Sequence, residues 1–121
     1  MDIITTLRTL KGTSLQEQVQ TLQSILDTEL MFEGQVRSYI DKQLDPSAFT
    51  FKNSVSDKYL AIVALLSILL ADITTVPDRT ARETYMIPFR ELCQKYEIQT
   101  VDLEFLGKYT SGFENILENL V

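Results

Sequence analysis

The chain contains no histidine. That absence excludes a histidine acid–base relay, a histidine metal site and a histidine-activated nucleophile within the chain. There is one cysteine, Cys93, so neither an internal disulfide nor a thiolate zinc cage can form. The four glycines, Gly12, Gly34, Gly107 and Gly112, are scattered, and none belongs to a loop that could cradle a phosphate. Long apolar runs are scarce as well. The conspicuous one, from Tyr59 to Ala71, is polar only at Ser67. A helix crossing a bilayer needs about 20 predominantly apolar residues. Asp57, Lys58 and Asp72 bound this run too closely for that, so no membrane insertion is expected.

Positive charge is also in short supply. Eleven lysines and arginines face seventeen acids, for a net charge of −6. A protein that grips a nucleic-acid backbone must bring cations to phosphates, so this balance counts against nucleic acid and against anionic lipid as partners. The acids are spread along the chain with a modest surplus toward the C-terminus, where Glu97, Asp102, Glu104, Glu114 and Glu118 are set against Lys108. We read these acids as a solvated face.

What the chain does have is the composition of a folded protein: 45% hydrophobic and 23% charged residues in a length of 121. We expect a single helical domain over residues 1–121. The opening MDIITTLRTL carries an acid at position 2 and no basic cluster. Together with the lone cysteine this leads us to expect a cytoplasmic protein.

Helical periodicity governs each long segment. Ile3, Ile4, Leu7 and Leu10 share a face of a short first helix that stops at Lys11 and Gly12. Ser14 and Glu17 form a capping-box pattern opening a second helix. Its stripe, Leu15, Val19, Leu22, Leu26 and Leu30, continues through Val36, Ile40 and Leu44 to Pro46. Unbroken, that helix would span about 45 Å, with Gly34 as the place to bend. The Tyr59–Ala71 run, apolar on nearly every side yet short, suits the centre of a multi-helix domain. A fourth helix is expected to start with Pro77 at its first position or with Thr80 and Glu83 as its cap. It contains Pro88, yet Ala81, Tyr85, Phe89, Leu92 and Tyr96 keep one apolar face on both sides of the proline. We therefore expect one kinked helix. Cys93 falls on that apolar side and reads as a structural thiol. A last helix from about Val101 buries Leu106, Tyr109, Phe113, Ile116, Leu117 and Leu120, weakened by Gly107 and Gly112. The expected fold is all-α: a compact bundle of four long helices plus a short N-terminal one, with a central hydrophobic helix at about residues 57–75.

Carboxylates are the remaining source of chemistry. Asp27, Glu29 and Glu33 sit on the second helix, and Glu33 stands four residues before Arg37, the favourable order for a local ion pair. A diiron bundle would require glutamate with histidine three residues later, and the chain cannot supply it. We expect no enzyme activity and no cofactor. The more informative pattern is on the fourth helix, where Arg79, Glu83, Met86 and Arg90 line one strip, with Arg82 beside it and Ile87 at its flank. Two apolar residues ringed by arginines have the composition of a protein contact. Phe49 and Phe51, in the connection after Pro46, either pack as a lid or reach toward a partner.

The stretch from Leu60 to Leu106, an apolar helix closing on Asp72, a capped helix and then TVDLEFL, loosely resembles small helical domains of the tellurite-resistance type. It covers less than half the chain and lacks the acidic, glycine-bearing turn of those domains after the first helix. No residue role is carried over from it. Small acidic bundles also include immunity proteins that cap toxins, a likeness of size and charge.

The sequence thus points to a non-catalytic protein–protein interaction module, an adaptor, assembly factor or inhibitor subunit. It would act through a helical face toward a protein partner or toward a second copy of itself. The alternative is a small-ligand or regulatory bundle with a cavity lined by Tyr59, Tyr85, Phe89 and Tyr96. The partner surface would comprise Arg79, Arg82, Met86, Ile87 and Arg90, with Phe49 and Phe51 as a second place.

Overall fold

The computed structural model describes residues 14–27, 33–43 and 56–118. Among them every regular element is helical: α1 (Leu15–Ile25), α2 (Glu33–Gln43), α3 (Asp57–Thr74), α4 (Arg79–Lys95), α5 (Thr100–Leu106), a 3₁₀ turn (Gly107–Tyr109) and α6 (Thr110–Glu118). No helix of the described residues is long and apolar enough to cross a membrane. The expected first helix through Leu10 lies outside the described residues, as do Phe49 and Phe51.

The apolar run occupies α3. The Ser56 hydroxyl caps it by accepting the Tyr59 amide at 3.0 Å, and Asp57 in the first turn faces the positive end of the helix dipole. Every residue from Leu60 to Leu69 is buried. The reason is positional: α3 packs against each of the other described helices, so no side of it meets solvent along this length. Ser67, the one polar residue of the run, donates its hydroxyl to the Ala64 carbonyl at 2.8 Å and so leaves no unsatisfied donor in the core. The helix ends where Thr74 and Thr75 turn their hydroxyls back onto the Ala71 and Asp72 carbonyls. Pro77 then prevents continuation.

Three expectations about boundaries are corrected. The second helix is not one rod bending at Gly34: α1 stops at Ile25, Leu26 and Asp27 form a turn, and Gly34 lies within α2. The stripe misleads because Val19, Leu22 and Ile25 of α1, Leu26 just after it, and Val36 and Ile40 of α2 all reach the same core, although on two helices. The fourth helix neither starts at Pro77 nor takes Thr80 as its cap; it begins at Arg79. Asp78 is its cap, the carboxylate accepting the Ala81 amide at 3.3 Å. The last helix is divided, with the 3₁₀ turn at Gly107–Tyr109 between α5 and α6. Pro88, by contrast, does not split its helix; α4 runs through it.

At Ser14 the hydroxyl accepts the Glu17 amide at 3.3 Å, the expected half of the capping box. Two long-range polar contacts tie the outer helices to the frame. Arg37 of α2 pairs with Asp57 at the start of α3. Asp27, after α1, accepts from Lys95 Nζ at 2.9 Å and from the Tyr96 hydroxyl at 2.6 Å, both at the end of α4. The Lys95 bond holds the Asp27 carboxyl below the ordinary carboxylate range. This answers for one member of the carboxylate set: Asp27 is a bracket between helices, while Glu29 and the Glu33 side chain lie outside the described residues.

Candidate functional site

The site is built on α4 and the two helices beside it. Phe89 and Leu92 bury one side of α4, with Tyr85 and Tyr96 half-buried on the same side. The opposite side carries Arg79, Glu83, Ile87, Arg90 and Gln94, all exposed. Arg79 Nε and a Glu83 carboxylate oxygen stand 3.3 Å apart, with side chains 85% and 66% exposed, so this ion pair adds little stability. Ile87 is 58% exposed, one of two large hydrophobic side chains so displayed among the described residues; the other is Val101 at 65%.

The structure separates Met86 from Ile87. Ile87 projects outward, but Met86 is half-buried and packs on the core, so the two do not form one outward apolar pair. Adjacent helical residues point about 100° apart, which puts Met86 on the flank nearest α3. Arg82 is half-buried on that flank too, and its Nε is enclosed with no hydrogen-bond partner.

Met86 and Leu70 line two depressions that meet between them. The larger, about 820 Å³, lies among α3, α4 and α5, with Phe89, Cys93, Ile98 and Leu103 in its lining and Arg90, Glu97 and Glu104 among its charged residues. The smaller, about 320 Å³, extends toward the start of α4 past Ile73, Arg79, Arg82 and Glu83. A third depression, about 560 Å³, lies on the other flank between α1 and α4, over Val19, Ala81, Tyr85 and Pro88.

Cys93 is therefore not sealed in the core. It is half-buried and lines the larger groove, and burial pushes its thiol above the ordinary value, away from the thiolate. Beyond it, α4 ends in a Schellman turn: the Ile98 amide donates to the Cys93 carbonyl at 2.8 Å and the Glu97 amide to the Gln94 carbonyl at 3.2 Å. The left-handed position of this turn is held by Glu97, with φ 55, where glycine is the usual residue. A non-glycine side chain there costs about 1–2 kcal/mol. Ile98, buried directly after it, anchors the turn.

The four aromatic residues expected to enclose a ligand are dispersed. Tyr85 lines the groove beside α1 and Phe89 the one beside α5. Tyr96 bonds Asp27. Tyr59 donates to Asp102 and accepts the Gln99 amide at 3.3 Å. Asp102 is itself a correction: counted among solvated acids by its position, it is 5% exposed. Burial first, and then the Asp102 bond, push the Tyr59 hydroxyl up to about 12.

Among the described residues no cluster of three or more cysteine or acidic side chains is placed to hold a metal ion. Comparison with protein-family models, curated proteins and solved structures finds no match to this chain.

Proposed function

We propose that this protein is a non-catalytic interaction module whose working surface is the outward side of α4 together with the groove on its α3 flank. It serves as an adaptor, assembly factor or inhibitor subunit for a protein partner. The observation that carries this reading is Ile87, a β-branched apolar side chain 58% exposed among Arg79, Glu83 and Arg90 on a helix whose other side is anchored in the core. Such an arrangement has an apolar centre to desolvate and a charged rim to orient a partner. Leu70 and Met86 extend the apolar floor sideways.

A second reading, a small-ligand bundle, is favoured by the volume of the larger groove, about 820 Å³, within the size range of small-molecule sites. The two separate on one variant. Ile87→Lys should leave helix content and thermal midpoint nearly unchanged and abolish capture of the partner from native-cell extract. Capture that survives Ile87→Lys in a folded protein removes the outward side of α4 from the account.

A further inference from the structure

On the outward side of α4 one acid and one base, Glu83 and Arg90, stand on opposite sides of the middle of the helix. Glu83 lies one turn before Ile87 and Arg90 about one turn after Met86, so an acid and a base flank the Met86–Ile87 centre at equal distances along the chain. Glu83, Ile87 and Arg90 are all exposed. This centre is also the middle of the helix, since α4 runs from Arg79 to Lys95 without interruption at Pro88. About two turns of helix extend on either side of it.

We infer that the occupant of this surface is a second copy of the same chain, with the two α4 helices packed antiparallel about a two-fold axis near Met86 and Ile87. The inference rests on the reading of α4 given above and names its partner. A two-fold axis between Met86 and Ile87 places Glu83 of one copy against Arg90 of the other, and does so twice, because a two-fold contact repeats each pair. The exposed Ile87 side chains then meet near the axis, where they are desolvated most completely. A parallel arrangement would instead set Glu83 against Glu83 and Arg90 against Arg90. Charge complementarity therefore selects both the partner and its direction. The intramolecular Arg79–Glu83 pair, at 3.3 Å and largely exposed, is weak enough for Glu83 to be shared with the second copy.

Sedimentation equilibrium on the full chain, from micromolar to millimolar concentration, tests this with four proteins: the parent, Glu83→Arg, Arg90→Glu and the double swap. Far-UV circular dichroism establishes that each is folded. The parent should dimerise reversibly. Each single reversal sets like charges together at two places and should weaken the dimer at least about tenfold. The double swap restores opposite charges and should return the affinity to within about threefold of the parent. A parent that stays monomeric throughout overturns the inference, as does a dimer indifferent to the single reversals or one that the double swap fails to restore. If the parent is monomeric but its capture of another protein is lost in Ile87→Lys, the second copy is ruled out while α4 stands as the working surface. If capture is unaffected as well, both readings fall.

Discussion

Tyr59, in the first turn of the central helix, donates its hydroxyl to the buried carboxylate of Asp102, 43 residues later, in the first turn of α5. The same hydroxyl accepts the Gln99 amide at 3.3 Å. One phenol thus satisfies a carboxylate and a backbone donor and fixes α5, one wall of the larger groove, to the core helix.

Removing that hydroxyl should be felt as lost stability and as a changed pH profile. Tyr59→Phe deprives buried Asp102 of a donor, and a loss of about 1–3 kcal/mol is expected in denaturant titrations. In the parent, the Tyr59 pKa is raised to about 12, above the ordinary tyrosine value of 10.0. A group raised in this way contributes fully below the unfolded pKa, and its contribution falls as pH rises through the folded one. The parent should therefore lose stability between about pH 10 and pH 12, and Tyr59→Phe should lack that component. Superimposable alkaline profiles would contradict the assignment.

Two glycines of the last segment should respond oppositely to alanine. A Cβ on Gly112 would lie 2.0 Å from the Tyr39 hydroxyl oxygen, and Tyr39 is itself held edge-on against Phe113 with ring centroids 5.6 Å apart. Gly112→Ala should lower stability by about 1–3 kcal/mol through overpacking. A Cβ on Gly107 meets nothing within 4 Å, and its φ of −58 suits any residue. Gly107→Ala should raise stability by about 0.5–1 kcal/mol. Thermal and denaturant midpoints report both, and equal signs would contradict the packing described.

Glu97 occupies the left-handed position of the turn after α4 with φ 55. Glu97→Gly relieves the backbone and should stabilise the protein by about 1 kcal/mol, less the added freedom of glycine in the unfolded chain. A loss of stability would mean that the Glu97 side chain contributes more than its strained backbone costs.

The central helix was the most legible element because its signal is local: an apolar run too short for a bilayer and bounded by Asp57, Lys58 and Asp72 suits a helix wrapped by other helices. Continuity through Pro88 was legible for the same reason, since the apolar face continues on both sides of it. The break after Ile25 was not. Apolar spacing carries no mark of a turn when both resulting helices, through Leu22 and Ile40, face one core. At the start of α4 the sequence pointed to Pro77 as the first position or to Thr80 as the cap, and only the folded backbone selects Asp78. Gly112 looked like a defect because Tyr39, the side chain that needs the space, lies on another helix. Asp102 looked solvated because its partner is equally remote in sequence. Of the surface residues, the strip on α4 was visible from spacing alone, but the division between outward Ile87 and half-buried Met86 required the packing of α3 and α5.

The most direct test of α4 as the working surface is oxidative side-chain footprinting with mass-spectrometric readout, performed on the free and on the associated protein. Ile87 and Val101 provide a matched comparison, being 58% and 65% exposed on different helices. Association should slow oxidation of Ile87 and of Met86 in the adjoining groove by several-fold and leave Val101 unchanged. Protection that appears elsewhere while Ile87 and Met86 react at their free rates would contradict the account.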